Sequence, residues 1–292
     1  MGKIVRMLSG DGAVVVSAID STDIVMKAHE YHGTYEVASA ALGRTLTAAS
    51  LIGYNLKNKT DTVTVRIDGK GPLGVITAVS DYSGNVRGYL GDPLVELPLN
   101  SKGKIDVGGG VGRDGTLTII KDMGLKEPYS GSIPLVSGEI AEDITAYYAE
   151  SEQIPTVTAL GVLVDTDLSI KAAGGFILQL LPFTGEEIIK KVEENINGLP
   201  SVTKMMTDGM SPFDIASYLL RGMEPELLDE GEPQYKCTCS RERMLKVLSI
   251  LPKSDIESLS EDEETKTECR FCNKNYVFTK AEIKKLLNDN KT

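Results

Sequence analysis

Four cysteines, Cys237, Cys239, Cys269 and Cys272, are the only thiols in this 292-residue chain, and they stand in two tight pairs, "KCTCS" and "ECRFC". The C-x-C and C-x-x-C pairs flank 29 intervening residues, 240 to 268. Together they supply four soft thiolates, the number that fills the tetrahedral shell of Zn2+. A closed four-thiolate shell leaves no position for water, so such a zinc would be structural rather than hydrolytic. Two pairs of unligated thiols or a small iron–sulfur centre are the alternatives. Asn273, just after the second pair, suits the tight turn that follows a metal knuckle, and "YVF" at 276 to 278 reads as a returning strand. The first pair directly precedes a helix start, where backbone N–H groups and the helix dipole favour thiolate.

Such a site has a second chemistry. Oxidants convert thiolates to sulfenates and then to disulfides, which are poor zinc ligands, so oxidation would release the metal and the fold that depends on it. Structural zinc contributes about 10 to 16 kcal/mol in finger peptides, as much as a whole domain's stability. Pairing should be local, Cys237 with Cys239 and Cys269 with Cys272, because sequence neighbours stay close when the unit melts. The tighter C-x-C ring should close with more difficulty. On these residues alone a constitutive zinc ribbon that binds a partner and a redox switch both stand.

Other motifs with chemical potential are weaker. "GKGPLG" at 69 to 74 and "GVGRDG" at 110 to 115 fit G-x-G-x-x-G, yet each runs into a strand-like segment rather than a helix, so both read as turns and not as a dinucleotide site. "HEYH" places His29 and His32 three apart, not the four of a zincin helix, and the chain has no third histidine. Local hydrogen bonding at a helix start is expected of them. No catalytic residue is assigned, and no organic cofactor is expected.

The elements that must position the cysteines form the last 60 or so residues. "SRERMLKVLSIL" reads as a helix capped by Ser240, and "TKAEIKKLLND" as one opened by a Thr279–Glu282 capping box. Between them "SDIESLSEDEETKTE" reads as acidic and exposed. So few large apolar side chains cannot hold a domain without a staple. Before this unit, residues 183 to 230 read as short helices in series. Ile188, Val192, Ile196 and Leu199 fall at helical spacing, and Ser211, Pro212 and Asp214 make a helix start. Met205, Met206, Met210 and Met223 lie in the same stretch, suited to packing on the large domain or to adaptable apolar contact.

Residues 1 to 182 hold β-branched runs such as "GAVVVSA", "DTVTVRI", "LGVITAVS", "VRGYLG", "TLTIIKD" and "LGVLVDT", each bounded by turn residues. "EVASAALGRTLTAASLIGYNL" is Ala- and Leu-rich and poor in charge, the signature of a buried helix. The expected fold class is α+β: a strand-rich core domain (1–182) with a buried helix, a helical linker (183–230) and a small zinc-binding domain (231–292). A net charge of −11 without a basic cluster disfavours nucleic acid. The N-terminus lacks the apolar core of a secretory signal, and "AAGGFILQLLPF" is too short to span a bilayer. A cytoplasmic location is therefore expected, where paired cysteines bind metal or sense redox state.

"CTCSRER" and "CRFCNKNYVF", preceded by "ALGRTLTAA", "GPLG", "SEQIP" and "GGFILQLLP", closely resemble the redox-regulated holdase chaperones of the heat shock protein 33 family, over essentially the whole chain. The resemblance implies a protein that is inactive when reduced and zinc-bound. On oxidation, with heat or other stress, zinc leaves, a disulfide forms within each pair, the linker loosens, and an exposed apolar surface binds unfolding client proteins without ATP, typically as a homodimer. It carries Cys237, Cys239, Cys269 and Cys272 over as ligands and redox centres.

Overall fold

The structure, a computed structural model, describes residues 2–289. Its architecture follows from one helix. Residues 36–54 carry only two charges, Glu36 and Arg44, and a helix that is apolar all round must be walled in on all sides. It forms α2 (Glu36–Tyr54), preceded by α1 (Thr22–His32), and lies between two antiparallel five-stranded sheets. Arg44 is matched by the Glu139 carboxylate at 2.6 Å. Two glycines let α2 approach its walls. A Cβ on Gly43 would lie 2.8 Å from the side chains of Val25 and Val162, and one on Gly53 only 2.3 Å from Ser80 Oγ.

The first sheet runs β10-β1-β2-β9-β8, with β1 (Lys3–Leu8), β2 (Val14–Asp20), β8 (Thr156–Val164), β9 (Ile170–Leu180) and β10 (Glu226–Gly231). The second runs β5-β4-β3-β6-β7, with β3 (Thr62–Asp68), β4 (Ile76–Asp81), β5 (Val86–Tyr89), β6 (Thr116–Asp122) and β7 (Tyr129–Pro134). Alternation decides which face is buried: Val63, Val65 and Ile67 of β3 point to α2, while the intervening Thr62, Thr64 and Arg66 keep partial solvent contact. The β-branched runs singled out in the sequence lie on β2 to β6 and β8.

The two Gly-rich stretches are turns stacked against each other, as their strand-like continuations imply. Gly71 N–H donates to Val111 C=O at 2.9 Å and Leu73 N–H to Gly110 C=O at 3.1 Å. Val111 closes the short helix α3 (Val107–Val111), and the stretches feed β4 and β6. Any Cβ on Gly71 would fall 2.4 Å from Gly110 O, so the glycines serve backbone-to-backbone contact. The histidines differ from expectation: they occupy the last turn of α1, not a helix start, because Gly33 takes a left-handed conformation (φ 60°) and ends the helix. His29 Nδ1 is 3.1 Å from Thr34 Oγ1, and His32 Nε2 is 3.0 Å from Gly88 O.

The short helix α4 (Ala141–Tyr147) runs into a π-helical turn (Tyr148–Glu152) ahead of β8. The outer face of the first sheet is covered by α5 (Glu186–Ile196), α6 (Val202–Thr207) and α7 (Pro212–Leu219). Val5, Met7, Val16, Phe176 and Leu178 on the sheet meet Val192, Met205, Ile215 and Leu219 on the helices, with Met223 beyond α7. Ile188, Ile196, Leu199, Met206 and Met210 pack against this second core. Helix α7 opens with the reciprocal Ser211–Asp214 box and Pro212 in its first turn.

The segment after α7 departs from a run of helices. Gly222 and Pro225 end the helical stretch, and Glu226–Gly231 becomes β10, antiparallel to β1, with Arg6 and Asp229 paired across the strands at 2.5 Å. The chain then crosses to the second sheet. Val86 N–H donates to Gln234 C=O (3.0 Å), Lys236 N–H to Val86 C=O (2.9 Å), and Tyr235 O–H to Gly88 C=O (2.8 Å). Met1–Lys236 forms one compact unit and Cys237–Thr292 a second. No helix among the described residues is long and apolar enough to cross a membrane.

Candidate metal centre

The second unit contains α8 (Arg241–Ser249), α9 (Lys253–Leu259), β11 (Glu264–Glu268), β12 (Asn275–Thr279) and α10 (Lys280–Asp289). Ser240 caps α8 by accepting from Arg243 N–H at 3.2 Å. Thr279 and Glu282 form the reciprocal box at the start of α10, with Thr279 N–H donating to Glu282 at 2.9 Å. The acidic stretch is not wholly exposed. Its apolar Ile256 anchors α9 and Thr265 anchors β11, both buried, while Glu261 to Glu264 stay in solvent. Charge density masked these anchors in the sequence.

β11 and β12 pair antiparallel from Glu264–Thr279 to Glu268–Asn275, and the second cysteine pair forms the turn between them. Asn273 takes the left-handed conformation (φ 54°), and its N–H, like that of Cys272, donates to Cys269 C=O, at 2.8 and 3.2 Å respectively. Cys269 N–H closes the turn onto Lys274 C=O at 3.0 Å. This is the knuckle that Asn273 signals in the sequence. Cys237 and Cys239 approach from the segment that leads into α8.

All four Sγ atoms lie within 4.8 Å of one another, and among the described residues this is the one cluster of His, Cys, Asp and Glu able to hold a metal ion. The short approaches run between pairs: Cys237 to Cys269 at 3.7 Å and Cys239 to Cys272 at 3.5 Å. Sulfurs at about 2.3 Å from a tetrahedral zinc stand about 3.8 Å apart, so the spacing and the all-sulfur donor set fit that ion. His29 and His32 lie in the other unit and take no part.

The environment splits the thiols. Burial pushes Cys237 well up, reinforced by neighbouring thiols against the opposing N–H of Cys239. Cys272 is likewise raised, by burial first. Burial also acts on Cys239, but hydrogen bonds from the Tyr276 hydroxyl and from the surrounding thiols outweigh it and draw this thiol down to about 7. Tyr276 O–H donates to Cys239 Sγ at 3.0 Å, and that bond, more than burial, raises the phenol. In the sequence Tyr276 reads only as part of a strand. The i, i+2 alternation that buries Tyr276 beside Phe278 was the available signal, but reach to a sulfur is not visible in one dimension.

The cysteines are also part of a core. Cys269 packs with Leu248, Ile256, Tyr276, Phe278, Ile283 and Leu286, and Cys237, Cys239 and Cys272 line its edge. Arg241 stacks 4.4 Å over Phe278 of this core and donates to Val277 C=O at 2.6 Å.

Comparison with known proteins places the chain. Residues 2–279 match the sequence profile of the family described as Hsp33 protein. The 33 kDa chaperonin of Alkaliphilus metalliredigens is 46% identical over 288 residues, covering 98% of this chain and 99% of the relative. That of Clostridioides difficile is 46% identical over 287 residues, with 98% of each chain covered. Among solved structures, the 33 kDa chaperonin (heat shock protein 33 homolog) of Thermotoga maritima is similar with a TM-score of 0.89 at 37% identity, covering 99% of this chain and 98% of its own.

Proposed function

This chain belongs to the Hsp33 family of chaperones, and from that membership we propose that it is an ATP-independent, redox-regulated holdase of the cytoplasm. In this reading residues 1–182 are the core domain, 183–230 the linker and 231–292 the switch. Cys237, Cys239, Cys269 and Cys272 hold one Zn2+ in the reduced, inactive form. The observation that carries the proposal is that the four sulfurs cluster within and along the edge of the second unit's core, so that a metal held there would be coupled to the fold. Zinc, when bound, cross-links the two cysteine pairs and disperses their negative charge.

The protein's own residues supply the rest. A thiolate attacks a peroxide oxygen, forming S–O and releasing hydroxide, and the neighbouring thiolate then attacks that sulfur, forming S–S and releasing a second hydroxide. The pairs closed are Cys237 with Cys239 and Cys269 with Cys272. With its sulfur cluster broken up, a core of this size cannot hold. The linker loosens in turn, and the apolar surface it shared with the first sheet meets unfolding clients, the active form being a homodimer. No residue acts as a catalyst, and neither nucleic acid nor membrane is a partner.

The test is light scattering from a thermally unfolding client, with the chain either reduced and zinc-loaded or peroxide-treated at elevated temperature. Suppression by the oxidised form alone, reversed by thiol and zinc, is expected. Equal suppression in both states, or none, would rule out the switch and leave a constitutive zinc-ribbon adaptor.

A further inference from the structure

We propose that Tyr276 is a positioning residue that restrains Cys239 by hydrogen bonding to its sulfur, slowing attack of that thiolate on peroxides while the metal is held. The inference rests on the zinc-and-oxidation reading above and adds to it a residue that is not itself a ligand.

The geometry is specific. Tyr276 is buried, its register opposite Thr267 in the β11–β12 hairpin is fixed, and its O–H lies 3.0 Å from Cys239 Sγ. Lys274 Nζ stands 5.4 Å from the centroid of the same ring. Two other donors to the cluster differ in kind. Cys237 receives the backbone N–H of Cys239, and Cys272 that of Lys274. Backbone amides are present whatever the side chains, whereas a phenol at 276 is a property of this sequence.

A metal-bound thiolate keeps lone pairs that can still attack an electrophile. A charge-assisted hydrogen bond occupies one of them and withdraws density from sulfur, and solvent does not compete for a buried donor. The restrained step is the attack of the Cys239 lone pair on a peroxide oxygen. S–O forms, O–O breaks, hydroxide leaves, and the sulfur is oxidised as the peroxide is reduced. Outer-sphere partners of this kind orient ligands and tune the metal, and their loss typically changes affinity or activity by about 10- to 100-fold.

The experiment uses the full chain loaded with zinc or with cobalt(II), comparing the parent with Tyr276→Phe, which removes only the hydroxyl. Three readouts apply: metal per chain, the energy of the sulfur-to-cobalt charge-transfer band, and the rate at which each cysteine is lost to peroxide, read by differential alkylation and mass spectrometry. The variant should bind one metal, show the band moved to lower energy, and lose Cys239 about tenfold faster with Cys269 and Cys272 unchanged. An unmoved band with an unchanged Cys239 rate, or equal acceleration at all four cysteines, would overturn the assignment. Should the Phe variant fail to take up metal, the parent grown with fluorotyrosine replaces it. That more acidic donor should shift the band to higher energy and slow Cys239, and no shift would count against the proposal. A parent chain that binds no metal sinks the zinc reading itself, an outcome visible before any variant is compared.

Discussion

Cys269 belongs both to the four-sulfur cluster and to a buried core, and the two memberships predict a large effect from one atom. Cys269→Ser should reduce zinc to well under one per chain and abolish hydrogen-exchange protection across residues 237–289, while protection in residues 2–236 stays as in the parent. Serine is isosteric, so retention of metal and protection would show that the thiolate is dispensable. The thiols also fix a pH dependence. Metal requires them deprotonated, so affinity falls with pH, and each thiol that must shed its proton adds one to the slope of log affinity against pH. Cys237 and Cys272, raised by burial, contribute across the neutral range, whereas Cys239 joins only as pH falls through about 7. Chelator competition between pH 8 and pH 6 should therefore show the slope steepening on the acid side. At this scale the sequence was informative: thiol spacing, the Asn273 turn and the Ser240, Ser211 and Thr279–Glu282 caps are all short-range signals. Tyr276 was not, because its role depends on a hydrogen bond across 37 positions in the chain.

Helix α2 illustrates what an element owes to its surroundings. Gly43→Ala would raise intrinsic helix propensity, yet its Cβ lies 2.8 Å from Val25 and Val162, so overpacking should dominate and cost about 1 to 3 kcal/mol, seen as a lower denaturation midpoint for the first unit. A higher midpoint would mean that α2 is free to shift between its sheets. The covering helices answer to a different test. Leu219 of α7 is fully buried against the first sheet, and Leu219→Ala should cost about 2 to 5 kcal/mol. In the reduced, zinc-loaded chain this variant should bind more of a hydrophobic dye and suppress client scattering without oxidant. A destabilised variant that remained inactive would separate linker packing from client binding. Helices were legible where apolar periodicity was strong, as in α2, α5 and α7. α9 was hidden by the charges around Ile256. β10 and β11, "ELLDEG" and "ETKTE", lack alternating apolar residues and become strands because a neighbouring strand offers them a ladder.

At the scale of the whole molecule, the two units differ in what sustains them. The first has two apolar cores built on two five-stranded sheets, whereas the second has a handful of buried side chains and four sulfurs. A strong chelator under reducing conditions should therefore melt residues 237–289 at ambient temperature and leave a cooperative thermal transition for the rest. A single transition unaffected by the chelator would show that the second unit stands without metal. The α+β class and the separate cysteine unit were legible from composition and pattern. The order of strands was not, since β10 joins β1 from more than 200 positions away and no local signal records such a pairing. That pairing has a consequence for recognition. β10 is a six-residue outermost strand joined to β1 by its ladder and by a half-buried ion pair, Arg6 with Asp229. Whatever lifts Glu226–Gly231 away turns Lys3–Leu8 into an open edge, whose main-chain donors and acceptors would accept an extended backbone of almost any sequence.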